Sequence, residues 1–155
     1  MSIPIQVVLR RGMGPNGPEL VQQPFTAAER QQLQARYAVL EAGPAAASFK
    51  AALADAQQHH PTEPTPLIVL SRSNGDEMTW QILDNNNQPE TGFTVSVHPV
   101  SGGPPDPLVN FPQTAKNTNI VRSGQPKATH LNQHYKFRVV ASDKVEIDPD
   151  WYTGP

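Results

Sequence analysis

The stretch Leu67-Ile68-Val69-Leu70-Ser71-Arg72-Ser73-Asn74-Gly75-Asp76-Glu77-Met78-Thr79-Trp80-Gln81-Ile82-Leu83 decides the fold class. Over residues 26–58, just upstream of it, the apolar residues recur at helical spacing; from it onward they recur at every second position. Leu67 to Leu70 form a continuous apolar run, which suits a central strand. Asn74-Gly75 is a strong hairpin signal, because both positions tolerate the positive φ of a type I′ turn. The return strand then places Met78, Trp80 and Ile82 on one face, against Thr79, Gln81 and Leu83 on the other. Trp80 is expected in the core.

The same rhythm continues downstream. Phe93, Val95 and Val97 alternate with Thr94, Ser96 and His98, and Tyr135, Phe137 and Val139 alternate with His134, Lys136, Arg138 and Val140. Short strands are expected at 118–122 and 144–147. Residues 84–89 read as a polar turn, and 99–117 and 123–133 as long polar loops, a class that is often functional. Five or six turn-punctuated strands between residues 67 and 147 predict an immunoglobulin-like antiparallel β-sandwich. In the tail Asp148-Pro149-Asp150-Trp151-Tyr152, the two rings are expected to staple the chain back onto the sheet, or else to be exposed as an anchor for a partner or sugar.

Upstream, Ile3, Ile5, Val7 and Leu9 predict a strand over 3–10, with Pro4 placing it at a sheet edge or marking its start. Residues 12–18 form a loop, and 19–21 a short return. Thr26-Ala27-Ala28-Glu29 is a capping box, in which hydroxyl and carboxylate each satisfy the other residue's backbone N–H. The helix it starts is expected to reach about Ala42, with Leu33, Tyr37 and Leu40 on one stripe and Gly43-Pro44 as the stop. A second, alanine-rich helix over 45–58 carries Phe49, Leu53 and Ala56 on one face. Two helices of this size cannot bury a core alone. Residues 26–58 therefore read as a helical insertion in a single domain over 1–155, whose sandwich core spans 67–147. His59 and His60 suit the negative end of the second helix dipole, and 62–66 is a stiff proline-rich linker.

A chain of 155 residues buries about two-thirds of its unfolded surface and needs no covalent staple. The absence of cysteine excludes disulfides, thiolate metal sites and a cysteine nucleophile. Net charge is −2 with 17% charged residues. Beyond Arg10-Arg11 there is no dense basic face, so nucleic-acid binding is not expected. The start of the chain lacks the order of charge and apolar stretch that marks a signal peptide, and no run approaches the ~20 apolar residues that cross a bilayer. No membrane insertion is expected and the default address is cytoplasmic, with signal-independent export left open.

Among five histidines, His130 and His134 have the spacing that puts two metal ligands on one helix face. If the segment is extended, the rings lie ~13 Å apart, too far for one ion. His98 is a further ligand candidate if strand pairing brings it close. Asp84 to Gln88 is rich in oxygen ligands but lacks the glycine and distal glutamate of a calcium loop. Of Asp143, Glu146, Asp148 and Asp150, the last three share a strand face and could hold a cation weakly, but the cluster reads rather as a solvated acidic edge that resists aggregation.

No nucleophile elbow, phosphate loop or dinucleotide fingerprint is present. The function expected is a non-catalytic binding or assembly module, needing no cofactor and engaging a protein partner or a second copy through polar loops or the alanine-rich helix. Two alternatives remain. One is a small metal-dependent or hydrolytic enzyme using His98, His130 and His134. The other is a carbohydrate-binding protein in which Trp151, Tyr152 and His98 touch the ligand.

Overall fold

In the computed structural model, residues 5–61, 67–100, 113–114 and 118–155 are described. Strand β1 (Ile5–Gly14) turns Ile5, Val7 and Leu9 into the core and leaves Gln6 and Arg10 exposed. It pairs antiparallel with β2 (Gly17–Gln22), the turn being set by Gly17 at φ +110°. After the helices come β3 (Ile68–Ser71) and β4 (Met78–Leu83), then β5 (Thr94–Pro99), β6 (Gln113–Thr114), β7 (Val121–Arg122), β8 (His134–Val140), β9 (Glu146–Ile147) and β10 (Asp150–Gly154). The first sheet has the order β2-β1-β4-β7; the second runs β3-β10-β8-β5-β6, with β9 paired to β8.

The aromatic rings show how the sheets meet. Trp80 of β4 packs edge-on to Phe137 of β8 at 4.1 Å between centroids. Phe137 stacks on Trp151 at 4.6 Å, and Trp151 on Tyr135 at 4.9 Å. All four rings are fully buried between the two sheets, where such pairs contribute beyond the area they cover.

Helices α1 (Ala27–Glu41) and α2 (Ala46–His59) lie on the other side of the second sheet. The capping box forms as the sequence dictates: Glu29 N–H donates to Thr26 Oγ1, and Thr26 N–H to Glu29 Oε1. Helix α1 buries Leu33, Tyr37 and Leu40; α2 buries Phe49, Ala52 and Ala56. Tyr37 meets Phe49 at 5.3 Å, and Phe49 meets Tyr152 of β10 edge-on at 5.4 Å. Strand β10 is consequently buried at all five positions.

The chain is thus mainly β, with two sheets and two helices. Three expectations are corrected. The sheets are not purely antiparallel: β1 pairs parallel with β4, and β3 parallel with β10. Parallel neighbours need a long crossover, and the helical segment supplies one between β1 and β4. Strand β1 is flanked on both sides, by β2 and β4, rather than lying at an edge. Nor do β3 and β4 form a hairpin; they belong to different sheets, and of the Asn-Gly pair only Gly75 has positive φ. The loop between them is closed instead by the fully buried Asp76, whose Oδ2 accepts from Ser71 N–H at 2.7 Å and lies 3.1 Å from Arg36 Nε of α1. Burial pushes the Asp76 carboxyl above its ordinary range, against the pull of Ser71 N–H and Arg36.

The expected start at Ile3 and Pro4, the 62–66 linker, and residues 101–112 and 115–117 of the long loop lie outside the described residues. Among those described, no helix is long and apolar enough to cross a membrane.

Replacing Asp76 by Ala strands the Ser71 N–H and the Arg36 guanidinium away from water. Urea denaturation is expected to show a loss of about 1–3 kcal/mol, with both sheets still formed by circular dichroism.

Candidate functional site

Side chains alternate across a strand, so the outer face of the second sheet presents His134, Lys136 and Arg138 from β8 and Asp150 and Tyr152 from β10. Register sets Lys136 opposite Asp150 and His134 opposite Tyr152. Because Tyr152 must lie beneath Phe49 of α2, Asp150, two residues earlier, also lies beneath that helix and is about 1% exposed. An isolated carboxylate there would carry a heavy desolvation cost.

Compensation arrives from three directions. His134 Nε2 lies 2.9 Å from Asp150 Oδ1, and His60 Nε2 lies 3.0 Å from Oδ2. Lys136 Nζ stands 3.9 Å from Oδ1. On the far side of the His134 ring, Nδ1 faces Asp55 Oδ2 of α2 at 3.7 Å, and that buried oxygen accepts no hydrogen bond. Burial alone would push the Asp150 carboxyl up. The hydrogen bonds from His134 and His60, with the charges of Lys136 and His134, outweigh burial and hold it well below the usual carboxylate range.

The cluster lies at the C-terminal end of α2. His59 Nδ1 turns back onto the Asp55 carbonyl at 2.9 Å, consistent with a helix-ending role. His60, the C-cap, leaves helical geometry at φ −130°, ψ 62°. Side chains of Asp55 and His60 are 32% and 23% exposed, so the site opens to solvent from the helix side while Asp150 forms its floor.

Asp55, His134 and Asp150 can each present one ligand atom, all within 4.8 Å of one another. Two carboxylate oxygens and one imidazole nitrogen are the donors of a divalent-cation site, and a second imidazole is adjacent. A shift of about 1 Å brings such donors to the ~3.4 Å separations that bonds of 2.0–2.2 Å require.

Of the sequence candidates, only His134 enters this cluster. His130 sits in a turn, its Nδ1 2.7 Å from Thr129 Oγ1 and its carbonyl accepting from Thr153 Oγ1. The His130–His134 spacing is therefore not on a helix face. His98 is exposed on β5, 3.3 Å from Ser96 Oγ. Trp151 and Tyr152 are fully buried in an interior strand and offer no exposed ring to a sugar or partner, which corrects their assignment as ligand contacts. The oxygen-rich turn closes on itself, Asp84 Oδ1 accepting from the N–H groups of Asn86 and Gln88.

Within the acidic edge, Asp143 pairs with Arg11 and Glu146 with Arg138, but Asp150 is buried rather than solvated. Sequence reasoning missed Asp55 altogether and, for Asp150, the burial that sets it apart from the acidic edge. The usable signal was Trp151-Tyr152 itself: adjacent large rings on a strand imply cover on both faces, and Asp150 shares a face with Tyr152.

No protein-family model matches the chain, and no match to a curated protein is found.

With a depressed carboxyl, the stability Asp150 contributes is present above its unfolded value of about 3.9 and is lost as pH falls below that toward the folded value. In chelator-treated buffer, urea midpoints of the wild type and Asp150→Asn are expected to differ above about pH 5 and to converge as pH drops below about 4. A constant gap across that range would contradict the ionised, paired carboxylate.

Proposed function

We propose that the protein is a non-catalytic binding module whose ligand is a divalent metal ion, held by Asp55, His134 and Asp150 at the junction of α2 with the second sheet. The observation that carries this is the convergence of those three ligand atoms within 4.8 Å, with a buried Asp55 oxygen that accepts no hydrogen bond. A mixed nitrogen and oxygen donor set favours zinc, cobalt, nickel or manganese over calcium and magnesium, which select oxygen alone. Lys136, 3.9 Å from Asp150, repels a cation and tempers affinity. Ion binding here draws only on two facing sheets and their helical cover, and an immunoglobulin-like strand order has no part in it.

The alanine-rich helix, read from sequence as a self-association surface, places Phe49, Ala52 and Ala56 against its own domain. That leaves the cluster as the better-supported seat of binding.

Calorimetric titration of chelator-treated protein with Zn²⁺ or Co²⁺ is expected to give one ion per chain, and Co²⁺ to develop ligand-field bands in the visible. Saturation at 100 times Kd adds about 2.7 kcal/mol to stability. His134→Ala abolishes the signal, whereas Lys136→Met tightens binding about fivefold, since a unit charge at 4 Å is worth about 1 kcal/mol in water. A folded wild type that takes up no stoichiometric ion overturns the proposal.

A further inference from the structure

We propose that His60 is a fourth ligand, and that the bound ion locks the C-terminal end of α2 onto the second sheet, making the docking of the helical segment metal-dependent; this rests on the ion-binding reading above. The donors divide evenly between two units. Asp55 and His60 come from the end of α2, His134 and Asp150 from β8 and β10. An ion at their meeting point is bonded to both units at once.

The two ends of α2 attach to the sheet by different means. At the N-terminal end Phe49 packs on Tyr152, and Ser48 Oγ accepts from the Tyr152 hydroxyl at 3.1 Å. That end has a large ring and a side-chain hydrogen bond. Toward the C-terminal end the buried residues are Ala52 and Ala56, each removing little apolar area from water. Leu53, partly buried against the core, adds to them, and the polar cluster ties the last turn to the sheet. Its link to the sheet is therefore the one an ion would strengthen most, by adding coordination bonds to ion-pair contacts.

His60 is placed to take part. Its backbone N–H still donates to Ala56 O at 2.9 Å, while its non-helical backbone leaves the helix path and brings Nε2 to within 3.0 Å of Asp150 Oδ2. That oxygen is opposite the one facing His134, so the two imidazoles flank a single carboxylate. His60 stands outside the three ligand atoms that lie within 4.8 Å of one another; it joins them by moving with Asp150 Oδ2, from which its Nε2 is 3.0 Å, and would bring the donors to four, the usual number for zinc.

The test uses hydrogen–deuterium exchange of the full chain with and without saturating Zn²⁺, read beside the calorimetric titration. Peptides covering 52–60 are expected to exchange at least tenfold more slowly with the ion bound, while those from α1 change less. His60→Ala is expected to weaken binding about tenfold and to remove the extra protection at 52–60, with three ligands still holding the ion. His60→Asn serves as a second variant if alanine perturbs folding, near-ultraviolet circular dichroism being the check. Ion uptake with unchanged exchange at 52–60, or with unaltered affinity in a folded His60 variant, overturns the clamp and leaves ion binding standing. No ion uptake by the wild type overturns both.

Discussion

The second sheet is covered on both faces, by the first sheet on one side and by α1 and α2 on the other, and the placement of most other groups follows from that double cover. Strand alternation sends Tyr135, Phe137 and Trp151 toward the first sheet and Asp150, Tyr152 and His134 toward the helices. Aromatic rings meet that condition by packing. A carboxylate meets it only with partners, and one of those around Asp150, His60, is the C-cap of α2. Helical cover and polar cluster are thus one arrangement, since the helix that buries Asp150 also brings part of its compensation.

Two polar clusters differ in donor type, and with it in what each can do chemically. Arg11 engages Glu90 through two parallel bonds of 2.8 Å and reaches Asp143 with its remaining nitrogen. The guanidinium cannot be released as a neutral ligand, and the fork matches carboxylate geometry. That cluster joins β1 to the turns at 90 and 143 and is chemically complete. Around Asp150 the partners are imidazoles, which bind a cation through either ring nitrogen, and Asp55 keeps an oxygen that accepts no hydrogen bond. Only the second arrangement can exchange its internal contacts for an ion.

Most strands and their inward faces were legible in the sequence, as were the capping box and the apolar stripes of both helices, because these follow from spacing alone; β6 fell in a stretch read as loop and β10 in one read as a tail. Strand partners were not legible. Periodicity says which face of a strand is apolar, not which neighbour it takes, so the parallel β1–β4 and β3–β10 pairs were invisible. Asn74-Gly75 misled because a local turn preference lost to Asp76, whose bonds to Ser71 and Arg36 come from tertiary structure. The site was half readable. His134 stood out as a metal-ligating type on a strand, whereas Asp150 lies in an acidic stretch that looks solvated until the helical cover is known. Asp55, an ordinary residue on a helix flank, had no signal of its own.

The strand that comes last along the chain, β10, occupies an interior position between β3 and β8. Until those five residues arrive, the second sheet is two pieces, each with an open hydrogen-bonding border and an apolar surface awaiting Trp151 and Tyr152. Such borders recruit strands from other molecules, and the contacts that close the β3 border span more than eighty positions in sequence, which slows assembly. Closure of the second sheet around β10, rather than the polar loops, is therefore the step that hides those borders and the apolar surface beside them.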